Sequence, residues 1–199
     1  MAVRDFIIER NQMGHIPVRI AFVLCLGAVF LNPVTERIEF TNAIPFMFSH
    51  YAIFVIGLLL SYRLFRLPPW LAAIGSSIAV FWHLPYTFLL SGVNPFYRIV
   101  EELSLGIGGW LVGSSLRWMK SPFKSAMLVI WFVSDTALSI LFIISPTLYS
   151  RAGGPNSPYL PSQFIILGIA MIFFMNGVIA YIVYQYLRRY RSVLLSEDS

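Results

Sequence analysis

The stretch AIPFMFSHYAIFVIGLLLSY, residues 43–62, contains no Asp, Glu, Lys or Arg, and its reading decides the fold. At about 1.5 Å of rise per residue, a helix of that length matches the ~30 Å hydrocarbon thickness of a bilayer. Apolar segments of the same kind recur, and six spans are expected, at 16–31, 43–62, 70–90, 96–119, 124–149 and 161–187. Turn chemistry fills the gaps: Asn32-Pro33, Pro68-Pro69, Asn94-Pro95, Ser121-Pro122 and the run from Arg151 to Pro158. Most connections are too short for anything but antiparallel neighbours. The first span is the shortest, because Pro17 and Arg19 interrupt it, although Arg19 can snorkel to the interface. That segment lies either across the membrane or partly in its interface. No small-residue cleavage site follows it, so it is expected to stay as an anchor.

Composition gives the same class. The chain is 58% hydrophobic and 12% charged with a mean hydropathy of +0.75, whereas soluble domains carry about 25% charged residues. The expected organisation is a cytoplasmic segment over 1–15, a six-helix membrane domain over 16–187 and a cytoplasmic tail over 188–199. The net charge of +5 reflects basic residues at span ends, which makes nucleic acid an improbable partner and the bilayer the expected one. The lone cysteine, Cys25, lies in an apolar run, which excludes a C-x-x-C thiolate pair.

The positive charges orient the bundle. If both termini share a side, that side holds eleven Lys and Arg, and the other holds only Arg37, Arg98 and Arg151. Positive-inside then places both termini in the cytoplasm, as in the plasma membrane of a prokaryote.

On this frame His50, His83, Glu101 and Glu102 fall at one depth, roughly 8 to 12 Å below the outer face at ~1.5 Å per residue. Ionisable groups at membrane depth face a bundle interior and find partners there. Helical phase puts Glu102 on a stripe with Gly106, Gly109 and Gly113, and Glu101 with Leu105, Gly108 and Val112. His83 shares its stripe with Ala72, Ser76 and Ala79, and His50 with Phe54, Gly57 and Ser61. Small residues let membrane helices approach. The expectation is therefore that His50, His83 and Glu102 line a common cavity with Glu101 at its edge.

Imidazole with carboxylate suits copper, zinc or iron, and Met47, one turn outward of His50, offers a thioether for Cu(I). The same residues also serve in membrane bundles as interhelical hydrogen-bond partners, and that structural reading stands beside the metal one. Asp135, mid-span with Ser139 one turn on, is more isolated than the other four: a proton-relay candidate or otherwise a paired structural residue. Gln163 caps the cavity or simply starts a helix, and Asn176 and His15 carry little signal.

The run Phe81-Trp82-His83-Leu84-Pro85, followed by Asn94-Pro95 and by Glu101-Glu102-Leu103-Ser104, resembles the CtaG-type assembly factors of caa-type cytochrome c oxidase. Phe48-Ser49-His50-Tyr51 is similar to that family's preceding His-containing helix, and Gln163 with Gly168 to its final Gln-containing helix. The likeness covers roughly residues 45 to 187 and is most specific at Trp82 to Pro85; small archaeal membrane proteins of this length are similar too. Phe46 stands where the family often has a further His, and Glu102 where it has His. The resemblance implies copper handling for an oxidase or a related membrane redox complex. One alternative is an accessory subunit with His50 and His83 as axial ligands of haem; another is a transporter or structural subunit with no cofactor. No nucleophile–base set or nucleotide fingerprint is present, so an enzyme acting alone is not expected.

Overall fold

A computed structural model describes residues 16–62, 64–151 and 157–197; His15, most of the Arg151-to-Pro158 loop and the last two tail residues lie outside the described residues. The described residues form nine helices and no strand. In chain order they are α1 (Ile16–Phe30), α2 (Pro33–Glu39), α3 (Ala43–Ser61), α4 (Trp70–Trp82), α5 (Pro85–Val93), α6 (Pro95–Leu116), α7 (Ser121–Ile144), α8 (Pro146–Ser150) and α9 (Pro161–Glu197).

Asparagine and proline set the starts. Asn32 Oδ1 accepts from Val34 N and Thr35 N at 3.0 Å, Asn42 Oδ1 from Ile44 N at 2.9 Å and Asn94 Oδ1 from Phe96 N at 2.9 Å. Each supplies one of the acceptors that a helix start lacks. Proline occupies the first turn of α2, α5, α6, α7 and α8, where its missing N–H costs nothing.

Among the described residues three helices are long and apolar enough to cross a membrane: Ala43–Ser61, Ser121–Ile144 and Pro161–Gln185. Two bent pairs, α1 with α2 at 55° and α4 with α5 at 71°, raise the number to as many as five if each pair is one broken span and not a re-entrant loop. The 22-residue α6 is long enough but less apolar, because it carries Arg98, Glu101, Glu102 and a run of glycine and serine. It packs between α3 and α4.

The expected single span at 70–90 is therefore two helices. Pro85 removes a donor and drives Leu84 into extended backbone (φ −68°, ψ 143°), so α4 ends at Trp82 with His83 as its cap. Carbonyls freed by the break are satisfied by the protein: Thr87 Oγ1 donates to Phe81 O, and Tyr149 Oη donates to His83 O at 2.9 Å. Pro146 similarly ends the fifth expected span at Ile144 and starts α8. The last helix runs to Glu197, ten residues beyond the expected end at Leu187, so the tail expected over 188–199 is helical through that point.

Glycine sets how closely α6 approaches its neighbours. A methyl added at Gly109 would overlap the Phe54 carbonyl, at Gly57 the Gly106 carbonyl, and at Gly75 the Gly108 carbonyl. The first two contacts join α3 to α6, and the third joins α4 to α6. At one end of the bundle Arg19 Nη1 donates to Tyr62 O at 2.7 Å, and Ser115 Oγ to Pro68 O at 3.1 Å. At the other, Gln163 grips the start of α3, with Oε1 accepting from Ala43 N at 3.3 Å and Nε2 donating to Thr41 O at 3.1 Å. Two apolar clusters fill the interior: one around Phe46, Met47, Phe88, Phe142, Phe164 and Met171, the other around Phe54, Trp82, Leu105 and Val112.

Candidate functional site

Between these clusters, side chains from α3, the α4–α5 break and α6 meet. His50 is buried on α3, and its Nδ1 donates to Phe46 O, four residues earlier, at 2.6 Å. His83 caps α4, and its Nδ1 donates to Ala79 O, again four residues earlier, at 2.5 Å. A carbonyl can only accept, so both rings carry their N–H on Nδ1. What remains for chemistry on each ring is Nε2.

His50 Nε2 is hydrogen-bonded to Glu101 Oε1 from α6. The imidazoles of His50 and His83 are neighbours, with ring centroids 5.6 Å apart and planes at 66°. Phe46 lies edge-on to His50 at 4.4 Å, and Phe88 stacks on it at 5.7 Å. Glu101 Oε2 is buried without a hydrogen-bond partner among the described residues.

The two glutamates thus exchange the places expected for them. Glu101 is 0% exposed and bonded to His50, while Glu102 is half-buried. The reason is that α6 packs on two neighbours at once, so its buried arc takes in Arg98, Glu101, Leu105, Gly108, Gly109, Val112 and Gly113. Glu101 lies inside that arc; a glycine stripe facing one neighbour does not mark its centre. Met47 is fully buried in the first apolar cluster, among aromatic rings.

An ion pair that the sequence did not reveal, Arg98 with Glu39, lies beside the cluster. Arg98, counted in the sequence only as a positive charge of the minority side, is 1% exposed, and its Nη1 donates to Glu39 Oε2 at 2.6 Å. The guanidinium lies over the rings of Phe40 and Phe46 at 4.3 and 4.2 Å. Tyr159 Oη donates to Glu39 O at 2.8 Å, and burial pushes the Tyr159 phenol above the ordinary tyrosine range. Arg98 sits three residues before Glu101, on its stripe, which was the available signal. Asp135 is paired: the Tyr51 hydroxyl donates to its Oδ1, while Ser139 Oγ donates to its backbone carbonyl at 2.8 Å.

Among the described residues no three of His, Cys, Asp and Glu form a ready metal-binding group. His50 and Glu101 are bonded to each other, and His83 stands one ring away. A hollow of about 410 Å³ lies elsewhere, between α4 and α6 beside Trp82 and Ser104.

Fold and site together define a helical membrane protein with a buried histidine–carboxylate cluster. The family described as a protein of unknown function (DUF1404) matches residues 21–189, and the chain belongs to that family. No curated protein and no solved structure matches it significantly.

Proposed function

We propose that this is a six-span membrane protein with both termini in the cytoplasm, which takes a copper ion at His50, His83 and Glu101 in the outer half of a prokaryotic plasma membrane. Its role is to handle copper during assembly of a membrane oxidase or a related redox complex. One observation carries the metal reading: two imidazoles from different helices each have Nδ1–H tied to a backbone carbonyl. Such second-partner bonds fix the tautomer and orientation of metal-ligating histidines. The unpartnered Glu101 Oε2 supplies a buried oxygen beside them.

Charge balance supports a cation. Among the described buried ionisable groups, the carboxylates of Glu39 and Glu101 stand against one permanent cation, Arg98. Protons or a bound cation must make up the difference. His50 and His83 would hold copper through Nε2 and Glu101 through a carboxylate oxygen, with the proton between His50 and Glu101 displaced. Bound there, copper would supply a redox-active or transferable metal centre. The assembly role rests on the resemblance carried by Trp82 to Pro85. Haem suits the site less well, because Phe46 and Phe88 pack directly on His50, where the macrocycle would have to sit.

Elemental analysis and an absorption spectrum of full-length protein from copper-supplied cells test this. Stoichiometric copper that is lost in His83→Ala and kept in Glu102→Ala is expected. A Soret band lost in either His→Ala variant would establish haem instead, and neither signal would leave the cluster a structural tie.

A further inference from the structure

The break at His83 is deeper than its proline requires. Pro85 lacks the amide that would serve the Phe81 carbonyl, yet a proline inside a helix is compatible with a kinked, continuous one. Here the axes of α4 and α5 differ by 71°, and Leu84 between them is in extended backbone (φ −68°, ψ 143°). In a continued helix the His83 carbonyl would accept from the Thr87 amide. The bend takes it off that ladder, and it accepts instead from the Tyr149 hydroxyl at 2.9 Å, 66 residues further along the chain. A carbonyl left bare at membrane depth is strongly disfavoured, so this bond favours the bent chain over a shallower kink.

Tyr149 can hold the carbonyl in place because its own ring is fixed. It is buried on α8, edge-on to Phe142 of α7 at 4.6 Å and to Phe88 of α5 at 5.8 Å, and against Phe164 of α9 at 5.8 Å. Three helices set the ring, and the ring sets the hydroxyl. His83 is the side chain that depends on this. His50 sits within the unbroken helix α3 and Glu101 within α6. His83 is instead a terminal cap, and residues at helix ends fray unless something holds them. Its own amide reaches back to Ala79 O and Val80 O, at 3.2 and 3.1 Å, and Tyr149 holds the other half of its backbone.

We propose that Tyr149 is a positioning residue of the buried centre: by holding the His83 carbonyl it keeps the chain broken after Trp82 and the His83 imidazole against that of His50. Of the three side chains at the centre, His83 is thus the one placed by a tie from a distant segment. The geometry stands without a metal; its consequence for copper rests on the proposed function.

Magic-angle-spinning NMR of the full-length, metal-free protein in lipid bilayers, labelled with 13C and 15N in histidine alone, tests the placement. The chain has three histidines, and the parent should give a ring-to-ring cross-peak, lost in His83→Ala, that reports the 5.6 Å contact between His50 and His83. Tyr149→Phe keeps the packed ring and removes only the donor, and the cross-peak should fall several-fold. With 4-aminophenylalanine at the same position, which restores a donor, it should return. Ser115→Ala releases the Pro68 carbonyl just before α4, at the other end of that helix, and should leave the cross-peak unchanged. A cross-peak of parental intensity in Tyr149→Phe, equal losses in Tyr149→Phe and Ser115→Ala, or no cross-peak in the parent would each overturn the proposal. Copper titration of the same proteins keeps the two readings apart. Tyr149→Phe should weaken copper binding on the order of tenfold or more. Copper held as tightly as in the parent overturns the positioning role, whereas a parent that takes no copper overturns the metal reading alone, and the cross-peak still decides the place of Tyr149.

Discussion

Glu101 and Glu102 are adjacent in the chain and differ by 100° around α6, and that angle separates a buried partner of His50 from a half-buried side chain. Glu101→Gln is therefore expected to abolish most copper binding and Glu102→Gln to leave it nearly intact, as isothermal titration with copper would show. Equal losses would return Glu102 to the site. Arg98 makes a sharper case for stability. Arg98→Ala leaves the Glu39 carboxylate buried without its cation, a loss on the order of 3 to 5 kcal/mol, whereas adding Glu39→Ala should recover a good part of it. Denaturant unfolding in detergent measures both, and purely additive losses would deny the pairing. Residue identities were legible in the sequence wherever type alone spoke, as for His50, His83 and Glu101, which the structure brings together. Which glutamate faces inward was not, because phase fixes a direction and not how many neighbours a helix has. Arg98 and Glu39 were hidden for another reason: a buried ion pair has the same composition as two loop charges.

At the scale of elements, proline and asparagine located nearly every helix start, and apolar length located the cores of the spans. The break at His83 was readable in principle, since Pro85 forbids a continued helix and biases Leu84 against helical backbone. A single apolar run from Trp70 to Leu90 concealed it, because hydropathy carries no bend. The break puts His83 at a helix end, where its ring can reach His50 while its carbonyl is held by Tyr149. Helix contact is the other property of this level. Gly109→Val should cost about 1 to 3 kcal/mol through forced separation of α3 and α6, since the added carbons meet the Phe54 carbonyl. Gly27→Ala and Gly177→Ala, with nothing within 4 Å of the added carbon, should be close to neutral in the same thermal-unfolding assay. A Gly109→Val protein as stable as the parent would show that the close approach is not required.

For the whole molecule, the alternation of short connections and the eleven-to-three asymmetry of positive charge support the proposed arrangement of six crossings with both ends inside. Reporter fusions after Arg191 and within 63–68 should read cytoplasmic, and fusions within 32–42 and 150–157 should read outside. A cytoplasmic reading at 150–157 would overturn that arrangement and, with it, the common depth of the histidines and glutamates. The proposed arrangement matters because it would set the cluster in the outer half, near Arg98 and Glu39. The account's central claim is that His50, His83 and Glu101 hold copper together. X-ray absorption at the copper edge of the loaded full-length protein tests it most directly. The account predicts two imidazole nitrogens and a light oxygen scatterer, no sulfur from Met47, and loss of one imidazole in His83→Ala. A sulfur ligand, or a spectrum unchanged by His83→Ala, would contradict it.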